Sequence, residues 1–196
     1  MPSPLQNIYQ LKLWLLDIKP EIWRRLEVPA TITLPRLHRV IQATIGWEDY
    51  HLHRFKIGSR TYEVPDPEDL HGSKAADERR VKLNTVVTDV GSEFGYLYDF
   101  GDGWEHRLRL EAITLPQEGV FYPICVAGAR SGPREDAGGP RGYDAYLAAL
   151  SDPAHSRHEE LLSWRGPFDP EAFDMNAINQ RLVKAFAIQV RRHSAR

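Results

Sequence analysis

From Tyr9 to Leu15 the odd positions Tyr9, Leu11, Leu13 and Leu15 share one side of the chain, and Gln10, Lys12 and Trp14 share the other. A period of two predicts a strand with one buried face. Pro20 interrupts it, after which Ile22, Leu26 and Val28 again fall on one side, so the two segments are expected to form an antiparallel pair. The period then lengthens. Leu37, Val40, Ile41, Thr44 and Ile45 recur at helical spacing, with Thr33 placed to cap, Pro35 in the first turn and Gly46 after the last apolar position; this predicts an amphipathic helix. His51 to Ile57 and Arg60 to Val64 read as a second hairpin about Gly58-Ser59. Between Pro65 and Arg80 the periodicity disappears, and an exposed loop is expected. Val81 to Leu83 should add a short strand, followed by one or two helical turns capped by Asn84 that bury Val86, Val87 and Val90.

The stretch Tyr98-Asp99-Phe100-Gly101-Asp102-Gly103-Trp104-Glu105-His106 concentrates acidic, aromatic and imidazole groups around one reversal. A three-residue loop with Gly103 in the left-handed region pairs Phe100 with Trp104, Tyr98 with His106, Tyr96 with Leu108 and Phe94 with Leu110, which gathers the apolar rings on one face. A two-residue turn would set Tyr98 against Arg107 and mix the faces, so the longer loop is preferred. That register also sets Asp99 opposite Glu105, where like charges are destabilising. Three resolutions are open: the carboxylates splay into water, Arg107 neutralises them diagonally, or a cation or proton joins them.

Val120 to Cys125 reads as a last extended segment with Pro123 suited to an edge. Five glycines and two prolines between Gly128 and Gly142 predict a long irregular loop, a length that is often functional. Helices are expected over Tyr143 to Leu150, over Ala154 to Trp164, and after Asp174, where Met175, Ile178, Leu182, Phe186 and Val190 share a side. The whole reads as one α+β domain with a core over about residues 8 to 190, antiparallel hairpins forming a sheet packed with helices, and a mainly helical C-terminal third.

Composition narrows the function classes. Apolar residues make up 42% and charged residues 27% of the 196 residues, the balance of a globular protein with a buried core. No apolar run reaches the roughly 20 residues that span a bilayer and the start lacks a secretory signal, so no membrane partner and a cytoplasmic location are expected. One cysteine, Cys125, excludes an intrachain disulfide and reads as a small buried residue. A net charge of -2 provides no global field for nucleic-acid backbone. There is no nucleophile elbow, no His-Glu-x-x-His pair, no phosphate-cradling loop and no dinucleotide fingerprint, so no organic cofactor is expected.

Two groups of candidate residues remain. Asp99, Asp102, Trp104, Glu105, Glu135 and Asp136 are candidates for holding a protein partner or small ligand. His51 and His53 alternate onto one face of their strand and, with Asp99, Asp102 and His106, are candidates for a divalent metal in a mixed nitrogen and oxygen site. His106 lies in the apolar row, where a hydrogen-bonded core imidazole is the simpler reading.

Several motifs together resemble the plasmid Ri Orf-three-like family, whose members are also named as passenger proteins of transposable elements. They are Ile18-Lys19-Pro20-Glu21-Ile22-Trp23-Arg24-Arg25, Leu37-His38-x-x-Ile41-Gln42 with Gly46-Trp47, His51-Leu52-His53-x-Phe55, the Tyr98 to His106 stretch, Glu135-Asp136 with Gly138-Gly139, and Phe168-Asp169-Pro170-Glu171-x-Phe173-Asp174. The resemblance implies an α+β fold and an association with plasmids and mobile elements, with no established activity. Gly132 and Ala137 stand where relatives are expected to carry further cysteines, so a cysteine-based metal site does not carry over.

Three functions are weighed. The first is a non-enzymatic binding module that uses the acidic and aromatic hairpin with the Gly128 to Gly142 loop. The second is metal-dependent hydrolysis by the His and Asp cluster. The third is nucleic-acid binding through Arg24, Arg25, Arg191 and Arg192, which the overall charge disfavours.

Overall fold

The computed structural model describes residues 7–65 and 74–193, the side chains of 165 and 187–193 excepted. Its strands are β1 (Ile8–Leu15), β2 (Trp23–Pro29), β3 (His53–Ile57), β4 (Arg60–Glu63), β5 (Ala76–Asp77), β6 (Glu93–Tyr98), β7 (Trp104–Thr114) and β8 (Ile124–Ala129). The helices are α1 (Leu34–Ile45), α2 (Gly139–Ser151), α3 (His158–Arg165) and α4 (Met175–His193). The fold is α+β. All eight strands lie in one sheet of order β5-β4-β3-β6-β7-β1-β2-β8, antiparallel except where β4 meets β5.

The alternation read from the sequence is what packs. Leu11, Leu13, Leu26, Val28, Phe94, Tyr96 and Tyr98 join Leu37, Val40 and Ile41 of α1 in one buried cluster, and burying each such side chain contributes roughly 1.5 to 3 kcal/mol. Gly46 ends α1 in the left-handed conformation, with its amide bonded to Gln42 O. Thr33 occupies the N-cap position without a side-chain cap bond. Cys125 is buried, as a small apolar residue should be. Its backbone exchanges two hydrogen bonds with the Asn179 amide, at 2.8 and 2.9 Å, which tie the edge strand β8 to α4.

The central hairpin corrects the expected register. Tyr98 opposes Trp104, Tyr96 opposes His106 and Phe94 opposes Leu108, so the reversal takes up Asp99 to Gly103 rather than three residues. Asp99 is the cause. It adopts φ 56, its Oδ1 accepts from the amides of Gly101 at 2.9 Å and Asp102 at 3.3 Å, and its carbonyl accepts from Gly103 at 2.7 Å. An aspartate that folds its carboxylate onto the following amides makes a turn of its own and tolerates the left-handed region. Because the shift is two residues, the inward face is preserved. Phe100 leaves the apolar row, 45% exposed, and Glu105 faces Leu97 rather than Asp99. The like-charge conflict therefore does not arise.

Other expectations shift locally. Residues 66–73 of the expected Pro65 to Arg80 loop lie outside the described residues, but Ala76–Asp77 forms a strand there and Glu78 is fully buried. Leu83–Thr85 is a single 3-10 turn; Val87 is buried and Val90 is exposed. The expected Gly128 to Gly142 loop is shorter at both ends, because β8 runs to Ala129 and α2 starts at Gly139. The third helix starts at His158 rather than Ala154. On α4 Ile178, Leu182 and Phe186 are buried and Met175 is exposed; the Val190 side chain lies outside the described residues. No described helix is long and apolar enough to cross a membrane.

Candidate functional site

Tyr98, the last residue of β6, organises a polar corner. Its hydroxyl accepts from the backbone amides of Tyr50 at 3.0 Å and His51 at 3.3 Å, and donates to Glu135 Oε1 at 2.6 Å. Burial first, and then the Glu135 carboxylate, raise the Tyr98 pKa. Glu135 is itself buried, and its Oε2 accepts from the Glu48 amide at 2.9 Å. Trp47 stacks on Tyr98 with ring centroids 4.8 Å apart and donates its indole N–H to Pro133 O at 2.9 Å. These contacts clamp the segment after α1, the β6–β7 turn and the loop after β8 against one another.

The clamp brings His51, Asp99 and Asp136 together. His51 Nε2 lies 3.0 Å from Asp136 Oδ1 and 3.6 Å from Asp99 Oδ2, and one donor atom from each residue falls within 4.8 Å of the others. Asp99 is 9% exposed, while His51 is half-buried and Asp136 exposed. Asp99 and Asp136 both hold positive φ, 56 and 58. One imidazole nitrogen and two carboxylate oxygens can hold a divalent metal, share a proton or grip a basic group.

The other candidate residues are placed elsewhere. Asp102 is not one of this trio; its Oδ2 accepts from the Gly138 amide at 3.0 Å. Trp104 is 1% exposed and belongs to the core, so it presents no binding surface. Glu105 is exposed and lines a separate opening with Asp17, Asp102 and Asp144. His53 does not share a ligand set with His51. It stacks on His38 at 3.6 Å and meets the buried Glu78 at 3.0 Å. His106 is buried; its Nδ1 donates to Trp104 O at 2.9 Å, and burial pushes its pKa down to about 4. Of the five metal candidates only His51 and Asp99 come together, and the third donor atom beside them belongs to Asp136. The sequence marked Asp136 as a ligand candidate but held no signal that its loop folds over His51.

Of the cations named for nucleic acid, the two whose side chains are described are buried or paired. Arg24 is 2% exposed, and Arg25 pairs with Glu111 through bonds of 2.6 and 3.2 Å. The side chains of Arg191 and Arg192 lie outside the described residues. Gly132 answers the question of the expected cysteines from the packing side: a β-carbon there would sit 2.2 Å from Ile45 O, so this position has no room for a side chain against the end of α1.

A single sheet with helices on its apolar face and a polar corner built from three distant segments defines the class. The chain belongs to the plasmid pRiA4b ORF-3-like protein family, whose model matches residues 7–177. It is 42% identical over 177 residues to an uncharacterized protein, y4hQ, of Sinorhizobium fredii (strain NBRC 101917 / NGR234), covering 89% of this chain and 90% of that one. Among solved structures it is similar to a protein of unknown function, MM3350, from Methanosarcina mazei Go1. That match has a TM-score of 0.79 and 40% identity, and it covers 87% of this chain and 97% of the other.

Proposed function

We propose that the protein is a ligand-binding domain whose recognition site is the corner formed by His51, Asp99 and Asp136, and that a divalent cation is the ligand suited to it. The observation that carries this reading is the convergence of three donors from three segments within 4.8 Å. A nitrogen with two oxygens suits zinc or manganese better than calcium or magnesium, which favour all-oxygen shells.

Calorimetric titration of the purified protein with zinc, manganese and magnesium is the test. One saturable site for zinc or manganese is expected. It should raise the unfolding free energy by roughly 2.7 kcal/mol at a hundredfold excess over Kd and disappear in His51→Gln and Asp136→Asn, with metal-free stability nearly unchanged. Absence of saturable binding by any of the three metals sinks the reading.

Three protein donors leave coordination positions for water, the arrangement in which a metal generates hydroxide near neutral pH. A cleft of about 640 Å³ that includes Asp136 and Tyr50 offers a substrate room beside it. Hydrolysis is therefore the second reading. Metal-dependent cleavage of a simple phosphodiester, lost in His51→Gln, is the result that would favour it.

A further inference from the structure

The cleft that includes Asp136 and Tyr50 is also lined by Arg24 and Arg181, among acidic residues that include Asp169 and Asp174. Arg24 projects from the inward side of β2, in line with the buried Leu26, and is 2% exposed. Its hydrogen bonds all go to backbone carbonyls: Nε donates to Thr44 O at 3.2 Å, and Nη1 donates to Trp23 O and Ala129 O at 2.8 Å each. Among the described residues no carboxylate pairs with it, and its Nη2 has no hydrogen-bond partner. Burial, with a smaller contribution from Arg181 and against a pull from Cys125, pushes its pKa down to about 10. A buried guanidinium without a counter-ion is costly.

The C-terminal end of α1 offsets part of that cost. Arg24 and Arg181 donate to carbonyls of its last turn, Thr44 O and Ala43 O, the latter at 2.9 Å, where the helix carries partial negative charge. Phe173 lies over the Arg24 guanidinium at 5.1 Å, which covers a face and leaves Nη2 as the nitrogen not spent on a carbonyl. The carboxylates that share the cleft form hydrogen bonds elsewhere, although Asp174 also lies close enough to Arg181 to act on its charge. Glu135 binds Tyr98 and the Glu48 amide, Asp136 meets His51, and Glu48 bonds the Tyr50 hydroxyl. Asp169 and Asp174 accept from the amides of Glu171 and Ala177.

We propose that Arg24 and Arg181 form an anion subsite for the carboxylate of a small organic acid, whose apolar body lies against Phe168 and Phe173. One oxygen of a carboxylate can accept from Arg24 Nη2, since Nε and Nη1 already donate to carbonyls, and the second oxygen is left for Arg181. A phosphate dianion would add repulsion from the acidic wall of the same cleft. The subsite is independent of the metal reading, because neither arginine touches His51, Asp99 or Asp136.

The test uses the intact protein without added metal, titrated with benzoate, inorganic phosphate and chloride at constant ionic strength and followed by amide chemical shifts. Saturable benzoate binding is expected, with shifts centred on the end of α1 and the start of α4. Arg24→Lys should weaken it roughly tenfold or more, since a lysine cannot hold the three carbonyls and still donate to the anion. Arg181→Gln, at an exposed position, should weaken it severalfold in a protein that folds normally. Benzoate that does not saturate, that is matched by chloride, that is surpassed by phosphate, or that binds Arg181→Gln and Arg24→Lys as tightly as wild type overturns the proposal. Zinc binding by the wild type does not bear on any of these outcomes, so the two readings fail separately.

Discussion

At the scale of single residues, buried polar groups close into a ring that leaves one of them exposed to a sharp test. Gln42 donates to the Tyr96 hydroxyl at 3.1 Å, Tyr96 meets His38 Nδ1 at 2.8 Å, His38 Nε2 meets Asp49 Oδ1 at 2.7 Å, and the Asp49 amide returns to Gln42 Oε1 at 3.1 Å. A neutral His38 completes this ring, and burial lowers its pKa accordingly. Beside it Glu78 is fully buried, with its Oε1 on His53 and its Oε2 without a partner. Replacing His53 by Ala should destabilise the fold by roughly 3 to 5 kcal/mol in urea unfolding, because the carboxylate loses its counterpart. His53→Phe combined with Glu78→Leu should recover most of the loss. His106 makes a pH prediction. Its pKa is about 4 in the fold against about 6.5 unfolded, so below the latter value the unfolded chain binds the extra proton. The stabilisation is complete above about pH 6.5 and is lost as pH falls to about 4, by roughly 3 kcal/mol; His106→Asn should flatten that part of the pH–stability curve. The ring's contacts were not legible beforehand: His38 and Gln42 stood out only within a family motif on a helix read for its apolar stripe, and the neighbouring Glu78 lay in a segment read as exposed.

At the scale of elements, turn chemistry decided what hydrophobic period could not. The period of two put Phe94, Tyr96 and Tyr98 on the inward face, where they are buried. How many residues the reversal consumes depends on whether the Asp99 carboxylate bonds to its own turn, a choice that alternation does not encode. Asp99→Ala should therefore cost roughly 0.5 to 2 kcal/mol, in the range of a lost cap, even without metal, whereas Asp136→Asn should not. Gly132 is the second local device. Its β-carbon would meet Ile45 backbone at 2.2 Å, so Gly132→Ala should lower stability by roughly 1 to 3 kcal/mol through overpacking, read from the thermal midpoint.

At the scale of the molecule, sheet order assembles the two proposed subsites. β3 pairs with β6 rather than with its neighbours in sequence alone, and β1 lies between β7 and β2. This carries His51 to the Asp99 turn, and β8 then delivers Asp136 above them. The same order brings β2 beside β8 and α4, which sets Arg24 near Arg181. Two separate subsites predict additive effects: zinc and benzoate should each raise the thermal midpoint, and their increments together should equal the sum. Both are measured by thermal unfolding of one preparation.

What the chain determined on its own is the set of elements and their inward faces, because solvent exclusion acts on every strand and helix through a period that neighbouring residues already display. The same local signals marked Asp99 and Asp136 as unusual acidic residues near glycines. Tertiary structure alone decided which of them meet His51, that His53 turns to Glu78, and that Arg24 lies buried at the floor of a cleft. Those contacts join residues tens of positions apart, and only strand order and loop closure specify such distances.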